Sequence, residues 1–458
     1  MGRPGEPNSN AGCGCRLTYL AELRGRTEPI RLGVVGIGRM GRGVVDQVAT
    51  MPGMRVMAAA DVDLGRAEAC LRENGADPLV TDQLGPAQDA LRRGRPVATA
   101  DAGLMPQLEL DALVEATGLP EVGARVAADA IEQRRHVVML NVEADVVVGP
   151  ILAERARHAG VVYTLAAGDQ PGAIFELAEW AQTLGFKIVC AGRGTVLFAD
   201  DHHATPETYR EQAERNRNNP KMYCSFRDGT KSQTEMAAVS NVLRMPPEVR
   251  GMHEPYCRWQ ELGRVFSLEK DGGILGSEGV VDMANAIDPE GRYVHDDKVF
   301  PGIFVVVTSD HAGVRSSMGS MFEPGFGGTA QQWGPNWGLF RPYHLACVEV
   351  PMSVARAVLQ SRPTGDLRGG MVAELVAVAK RDLKPGDELD GAGGYTVYGL
   401  SERYQVARNQ RLLPFAFAYR GRLKRAVARD QALSWDDVEG ERSGFLYELR
   451  QEQDRLFN

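Results

Sequence analysis

A strand, a glycine-rich turn and a helix in direct succession constrain this chain more than any other feature. The apolar run 32–35 leads into Gly36-Ile37-Gly38-Arg39-Met40-Gly41, and Val44-Val45 follow at helical spacing. In such a turn Gly36 allows the tight bend and Gly38 removes a Cβ where the backbone approaches a pyrophosphate. Gly41 lets helix and strand pack closely. The helix N-terminus then faces the anion. A second apolar run, 55–60, ends in Asp61, twenty residues after Gly41 (61 − 41), the distance at which an acid meets the ribose hydroxyls. The pattern predicts a dinucleotide site; the alternative is a βαβ unit that binds none.

Strand-like runs at 32–36, 55–60, 110–116, 136–141 and 161–167 alternate with helical patterns such as 121–135. This alternation predicts an α/β fold: a Rossmann-type doubly wound parallel sheet with helices on both faces and ligands beyond the carboxyl ends of the strands. Two of those ends stand out: Glu115-Ala116-Thr117-Gly118, whose small residues leave room beside a cofactor, and Leu140-Asn141-Val142-Glu143; the alternative is ordinary turn chemistry. After residue 170 the pattern changes. A strand over 186–191 is broken by Gly192-Arg193-Gly194-Thr195, and Thr205 caps a helix with Pro206 in its first turn. Strands recur near 222–226 and 303–308, and a helix over 351–359 packs back on the first unit. Near the end, 376–390 is echoed by 424–438.

A chain of 458 residues exceeds one core. The expected units are a flexible tail (1–28) and a dinucleotide-binding unit (29–168, completed by about 346–365). A second, α+β catalytic and oligomerisation unit (169–345) and a small mostly-β unit (366–458) follow. The net charge of −8 argues against a nucleic-acid or anionic-membrane surface. No apolar run is long enough to span a bilayer. The first ten residues lack the apolar core of a signal peptide, and Glu6 breaks the N-myristoylation pattern. Seven cysteines, an odd number, include one close pair, Cys13 and Cys15, without metal-site spacing. Reduced thiols and a cytoplasmic protein are expected.

Several groups could carry chemistry. Asp169, in Gly168-Asp169-Gln170-Pro171, follows the run 161–167 and would face the reactive end of a bound dinucleotide. It could bind a metal or a substrate hydroxyl, accept a proton, or simply cap the next helix. Asp228-Gly229-Thr230-Lys231 opens a helix on which Glu235 shares a face with Lys231. A lysine at a helix N-terminus opposes the dipole, which suggests phosphate or carbonyl binding; the alternative is an exposed Lys–Glu pair. His253, and Arg341 with Tyr343 and His344, could bind an anionic or polyhydroxylated substrate. Asp200-Asp201-His202-His203 reads as a solvated loop.

In this order, Gly-Ile-Gly-Arg-Met-Gly, Glu115 to Gly118, Asn141 to Asp145, Gly168-Asp169, Asp228 to Lys231, Glu235, Gly251-Met252-His253 and Arg341 to Leu345 resemble the homoserine dehydrogenase-like oxidoreductases. The chain looks most like the branch of 1-deoxy-D-xylulose 5-phosphate reductoisomerase-like (type II) enzymes, with 376–438 similar to that branch's SAF domain. Gln170 stands where that branch has a glutamate, and Arg193 and Thr195 where it has lysines. The resemblance implies an NAD(P)-dependent oxidoreductase acting on a small polar substrate. Its cofactor site would comprise Gly36, Ile37, Gly38, Arg39, Met40, Gly41, Asp61, Arg66, Thr117, Gly118, Asn141 and Gly168. Asp61 favours NAD(H), whereas the resemblance and Arg66 favour NADP(H), the slight preference. Lys231, Asp169 and Glu235 are the expected catalytic residues, with a divalent metal an option. Arg193, His253, Arg341, Tyr343 and His344 are expected to bind substrate. A homodimer is expected; a dinucleotide sensor or scaffold without turnover, or a homoserine dehydrogenase-type activity, is the alternative.

Overall fold

The computed structural model describes residues 18–216, 218–322, 336–439 and 443–457; Cys13 and Cys15 lie outside them. The first sheet has seven strands: β1 (Ile30–Val35), β2 (Met54–Ala60), β3 (Leu79–Val80), β4 (Val97–Thr99), β5 (Ala112–Glu115), β6 (His136–Met139) and β7 (Tyr163–Leu165). All pair in parallel, in the order β3-β4-β2-β1-β5-β6-β7. The order reverses at β1, so a crevice opens beyond the carboxyl ends of β1 and β5. This is the expected doubly wound α/β class. Helices cover both faces, and Leu32, Val34, Leu113, Val114, Val137 and Val138 are fully buried. Strands β3 and β4 were not legible, because two and three residues are too few to show a period.

The second sheet, β8 (Lys187–Thr195), β9 (Val280–Asn285), β10 (Ile303–Thr308) and β11 (Trp337–Arg341), is ordered β11-β10-β8-β9. Only β8 and β9 pair in parallel. Strand β8 runs through the expected break. Its glycines serve close approach: a Cβ on Gly192 would lie 2.1 Å from the Asp282 carbonyl oxygen, and one on Gly194 2.3 Å from that of Val299. The expected strand near 222–226 is instead a helix, Pro220–Arg227. The Asn219 side chain accepts from the N–H groups of Lys221 and Met222 there, so local capping outweighs the apolar run. Thr205 opens a turn rather than a helix, with its hydroxyl 3.3 Å from that of Thr208; the helix begins at Arg210. Within the span expected to be a tail, Thr18–Gly25 is a helix tied by the Tyr19 hydroxyl to Gln360 Oε1 (2.8 Å).

The helix Ala346–Gln360 returns to the first sheet, where Val350, Val354 and Ala355 join the core around β1. Then β12 (Ala373–Ala379), β13 (Glu388–Asp390), β14 (Val397–Arg403), β15 (Tyr419–Leu423) and β16 (Val438–Glu439) form two small antiparallel sheets, β12-β14 and β13-β15-β16. The two similar segments lie against each other, with Leu383 and Val427 exchanging backbone hydrogen bonds of 2.9 and 3.1 Å.

The helix Phe445–Phe457 docks on the helix Val142–Ala159 at that helix's weakest point. Pro150 lies in the helix interior and interrupts the hydrogen-bond ladder. The Gln453 amide fills the gap, donating to the Val147 carbonyl (3.0 Å) and accepting from the Ile151 N–H (3.1 Å). Gln453→Leu should therefore cost about 1–3 kcal/mol for each buried group left without a partner. Urea unfolding of the whole chain checks this, and an unchanged midpoint would show that Pro150 needs no such splint.

Candidate active site

The turn between β1 and the helix Arg39–Val48 is built for close approach. Gly36 has φ +88°, and a Cβ on Gly41 would lie 1.9 Å from the Gly36 carbonyl oxygen. Gly38 differs: a Cβ there meets nothing within 4 Å, because the residue faces open space at the helix N-terminus beside exposed Arg39 and Met40. A cleft of about 230 Å³ adjoins it, lined by Gly36, Gly38, Asp61 and Arg66 and by apolar Val62, Ala100, Ala102 and Val122. Asp61, at the end of β2, is turned inward: Oδ2 accepts from Ile37 N–H (2.8 Å) and Oδ1 from Asp63 N–H (2.9 Å). Arg66 Nη1 stands 3.4 Å from both oxygens, with half of the side chain exposed.

Beyond β5 and β6 the crevice floor is braced. Asn141 Nδ2 donates to Thr117 Oγ1 (3.4 Å) and the Leu119 carbonyl (3.0 Å), and its Oδ1 caps Val142–Ala159 through Ala144 N–H. Gly118 is left-handed (φ +68°). A Cβ on Gly168 would lie 2.6 Å from the Leu345 carbonyl oxygen. Beneath Thr117 lies Glu115, fully buried, whose Oε1 accepts the Thr117 N–H (3.0 Å) while Oε2 has no partner. Burial pushes its carboxyl up to about 7.

Past this floor, three elements converge. Lys231 stands in the first turn of the helix Thr230–Leu243, and its Nζ donates to Glu143 Oε1 (2.8 Å) in the first turn of Val142–Ala159. Burial opposes the Lys231 charge, but the carboxylates of Glu143, Glu235 and Asp169 outweigh it and hold the ammonium above the ordinary lysine range. Glu235 does not pair with Lys231 along the helix. It turns to Arg193 on β8, whose Nη1 donates to Glu235 Oε2. Burial pushes the Glu235 carboxyl up to about 7, although Arg193 and Lys231 pull it down. Gln170 joins this pair in the amide orientation that its neighbours require: the nitrogen donates to Glu235 Oε2 (3.0 Å) and the oxygen accepts from Arg193 Nη2 (3.0 Å). His344 Nε2 lies 3.3 Å from the same amide, and its Nδ1 donates to the Pro301 carbonyl (3.0 Å). Burial lowers the His344 pKa, favouring the neutral ring.

Asp169 immediately precedes the helix Gln170–Thr183 yet makes no capping hydrogen bond. Its carboxylate, in a residue only 8 % exposed, instead adds negative charge around Lys231, Glu235 and His344. Other expected substrate residues have partners of their own. Arg341 is engaged by Glu349 and, at 3.5 Å, by Glu176, and lies over the Tyr343 ring at 4.7 Å. His253 Nδ1 is 2.7 Å from Asp282, whose hydrogen bond raises the His253 pKa. Asp201-His202-His203 is not a solvated loop. Asp201 is buried, His202 stacks on Tyr398 at 4.8 Å, and His203 Nε2 lies 2.7 Å from Asp430. Among the described residues no three His, Cys, Asp or Glu side chains converge as a metal ion requires. Sequence reasoning missed Glu143 as the Lys231 partner, although it sits in a strand-end segment already singled out. It also missed the buried pair of Lys380 Nζ and Asp228 Oδ2 (2.7 Å), for which no local signal exists.

The buried Glu115 yields a pH test. Its native pKa, about 7, exceeds the ordinary 4.5, so between those values the native state holds a proton that the unfolded chain has released. Stability should fall as pH rises through that window. Glu115→Gln removes the proton linkage, so the variant should gain on the parent across the window, by about 1.4 kcal/mol per unit of pKa shift, and hold the gain above it. Urea unfolding at a series of pH values checks this; parallel profiles would place an ionised carboxylate at Glu115.

Residues 168–350 match the model of the oxidoreductase DRL catalytic domain, so the middle of the chain is similar to an oxidoreductase catalytic domain. No curated protein matches the chain. Among solved structures, the chain is similar to a 1-deoxy-D-xylulose 5-phosphate reductoisomerase from Zymomonas mobilis in complex with NADPH, at 12 % identity over 74 % of this chain and 83 % of that one (TM-score 0.38). A probable dehydrogenase from Thermotoga maritima is 13 % identical over 73 % of this chain and 90 % of its own (TM-score 0.37). A scyllo-inositol dehydrogenase from Lactobacillus casei is 17 % identical over 38 % of this chain (TM-score 0.27), and the match spans about half of that enzyme, 47 %.

Proposed function

We propose that the chain is an NAD(P)-dependent oxidoreductase acting at a carbonyl or alcohol carbon of a small polar substrate. The carrying observation is one arrangement: an open glycine cradle and a lysine ringed by carboxylates lie along the carboxyl edge of one parallel sheet, within a chain whose middle matches an oxidoreductase catalytic domain. The cradle suits a dinucleotide. Gly38 leaves its space open, the helix N-terminus faces the pyrophosphate, and the apolar wall of Ala100, Ala102 and Val122 suits a planar base. Asp61 is already bound to Ile37 and Asp63, and half-exposed Arg66, which spans Asp61 (3.4 Å) and Asp63 (3.5 Å), is the cation that lines the cleft where a 2′-phosphate would sit; NADP(H) is therefore preferred to NAD(H).

When bound, the dinucleotide would exchange a hydride with the substrate carbon. Lys231, kept charged by its neighbours, serves as a fixed cation beside the substrate oxygen rather than as a proton donor. Glu235, whose carboxyl burial pushes up to about 7, can take up or release the substrate proton. Asp169 accepts a substrate hydroxyl, and Arg193, held by Glu235 and Gln170, shapes the wall beside it.

Two measurements test this reading. Gly38→Val should fold like the parent, because no protein atom opposes its Cβ, but should lose dinucleotide binding in calorimetry. Unchanged affinity would place the dinucleotide elsewhere, and a marked advantage of NADH over NADPH in the parent would reverse the coenzyme preference. Lys231→Ala should lower turnover of a verified substrate by about two to three orders of magnitude while leaving dinucleotide affinity nearly unchanged. Turnover at the parent rate would make the lysine structural.

A further inference from the structure

The lysine of the candidate site takes its ion-pair partner from another unit. Lys231 begins the helix Thr230–Leu243, where its ammonium is disfavoured twice, by the helix dipole and by burial. Its one hydrogen-bonded ion-pair partner among the described residues is Glu143, contributed by Val142–Ala159 of the dinucleotide-binding sheet. Asn141, one residue before that helix, braces Thr117 on the crevice floor. Glu143 is therefore coupled mechanically to the cofactor side and electrostatically to the substrate side. Other charges also face Lys231, but each has a different commitment. Glu235, on the same helix, is paired with Arg193. Asp169 acts on Lys231 without a hydrogen bond to it. From the C-terminal unit, Tyr419 and Glu374 line the niche that holds Lys231 and Glu143, and Glu374 is paired with buried Arg450.

We propose that Glu143 is a positioning residue. It fixes the Lys231 ammonium at the reacting centre, so the site is complete only when the dinucleotide-binding unit is docked against the helix Thr230–Leu243. This assignment rests on the oxidoreductase reading for its consequence in turnover, but not for its effect on Lys231. A carboxylate that merely capped its own helix would leave the lysine's ionisation unmoved.

The test uses competitive trace acetylation of the whole protein across the neutral-to-alkaline range, with the Lys231 peptide quantified by mass spectrometry. The side chain is 18 % exposed, and labelling of the parent supplies the baseline. In Glu143→Gln the amide keeps the shape and loses the charge. Lys231 should then titrate at lower pH and label at least about tenfold faster at a given pH, which corresponds to one pKa unit. Turnover should fall about ten- to a hundredfold. A labelling profile that superimposes on the parent's overturns the proposal. A shifted profile in a protein that turns over no substrate upholds the positioning and removes the oxidoreductase reading instead. Should Glu143→Gln unfold at a markedly lower midpoint, Glu143→Asp carries the same test: its shorter carboxylate should give labelling between parent and glutamine variant, and an unchanged profile again overturns the assignment.

Discussion

The buried ion pair of Lys380 and Asp228 is the contact on which the candidate site hangs. Lys380, one residue beyond β12, places its three ammonium protons on Asp228 Oδ2 (2.7 Å) and on the carbonyls of Ala204 (2.6 Å) and Gly394 (2.9 Å). Asp228 uses its other oxygen to accept the Thr230 N–H (2.9 Å), which fixes the turn from which Lys231 projects. A buried pair satisfied this completely repays its desolvation, whereas either partner alone would be a stranded charge. The C-terminal unit is thereby bound into the site's framework. Further contacts extend the same seam: Thr230 Oγ1 accepts Gly399 N–H, and Gln233 bridges Ser401 N–H and the Gly251 carbonyl.

Around that turn, charges are matched across units rather than along helices. The i,i+4 spacing of Lys231 and Glu235 invites a local pair, yet each takes a partner from another element, Glu143 and Arg193. Side chains that leave a helix surface for a buried junction lose water on all sides, and only a partner already held there repays the loss. Gln170 illustrates the same logic. A third carboxylate at that position would add to the repulsion already felt by Glu235. A neutral amide instead donates to Glu235 and accepts from Arg193. The replacement of an expected lysine by Arg193 has a matching effect, since a guanidinium can serve Glu235, Gln170 and the Gly194 carbonyl at once.

At the carboxyl ends of the first sheet, only a few groups separate the proposed cofactor floor from Lys231. Glu115, buried with one oxygen lacking a partner, supports Thr117; Asn141 ties Thr117 to the start of the next helix; two residues later that helix presents Glu143 to Lys231.

Much of this was legible in the chain. The glycine turn, the alternation up to residue 167 and the acid after β2 impose their own geometry: a missing Cβ and an apolar run buried on both faces act through immediate neighbours, whatever the rest of the protein does. The short strands β3 and β4, the helix at 220–227 and the continuous strand β8 were not legible. Two residues show no period, a cap can override an apolar run, and a glycine that breaks a strand locally can also admit a neighbouring carbonyl. The identities of Lys231, Asp169, Glu235 and Arg193 as candidates came from the sequence, but their partners did not. Lys380 and Asp228 lie 152 residues apart, Lys231 and Glu143 88 apart, and Gln453 and Val147 306 apart. Electrostatic pairing in a buried junction depends on distance through space, which no local pattern encodes. The residue types thus determined which chemistry was available, and the tertiary structure decided which charge faces which.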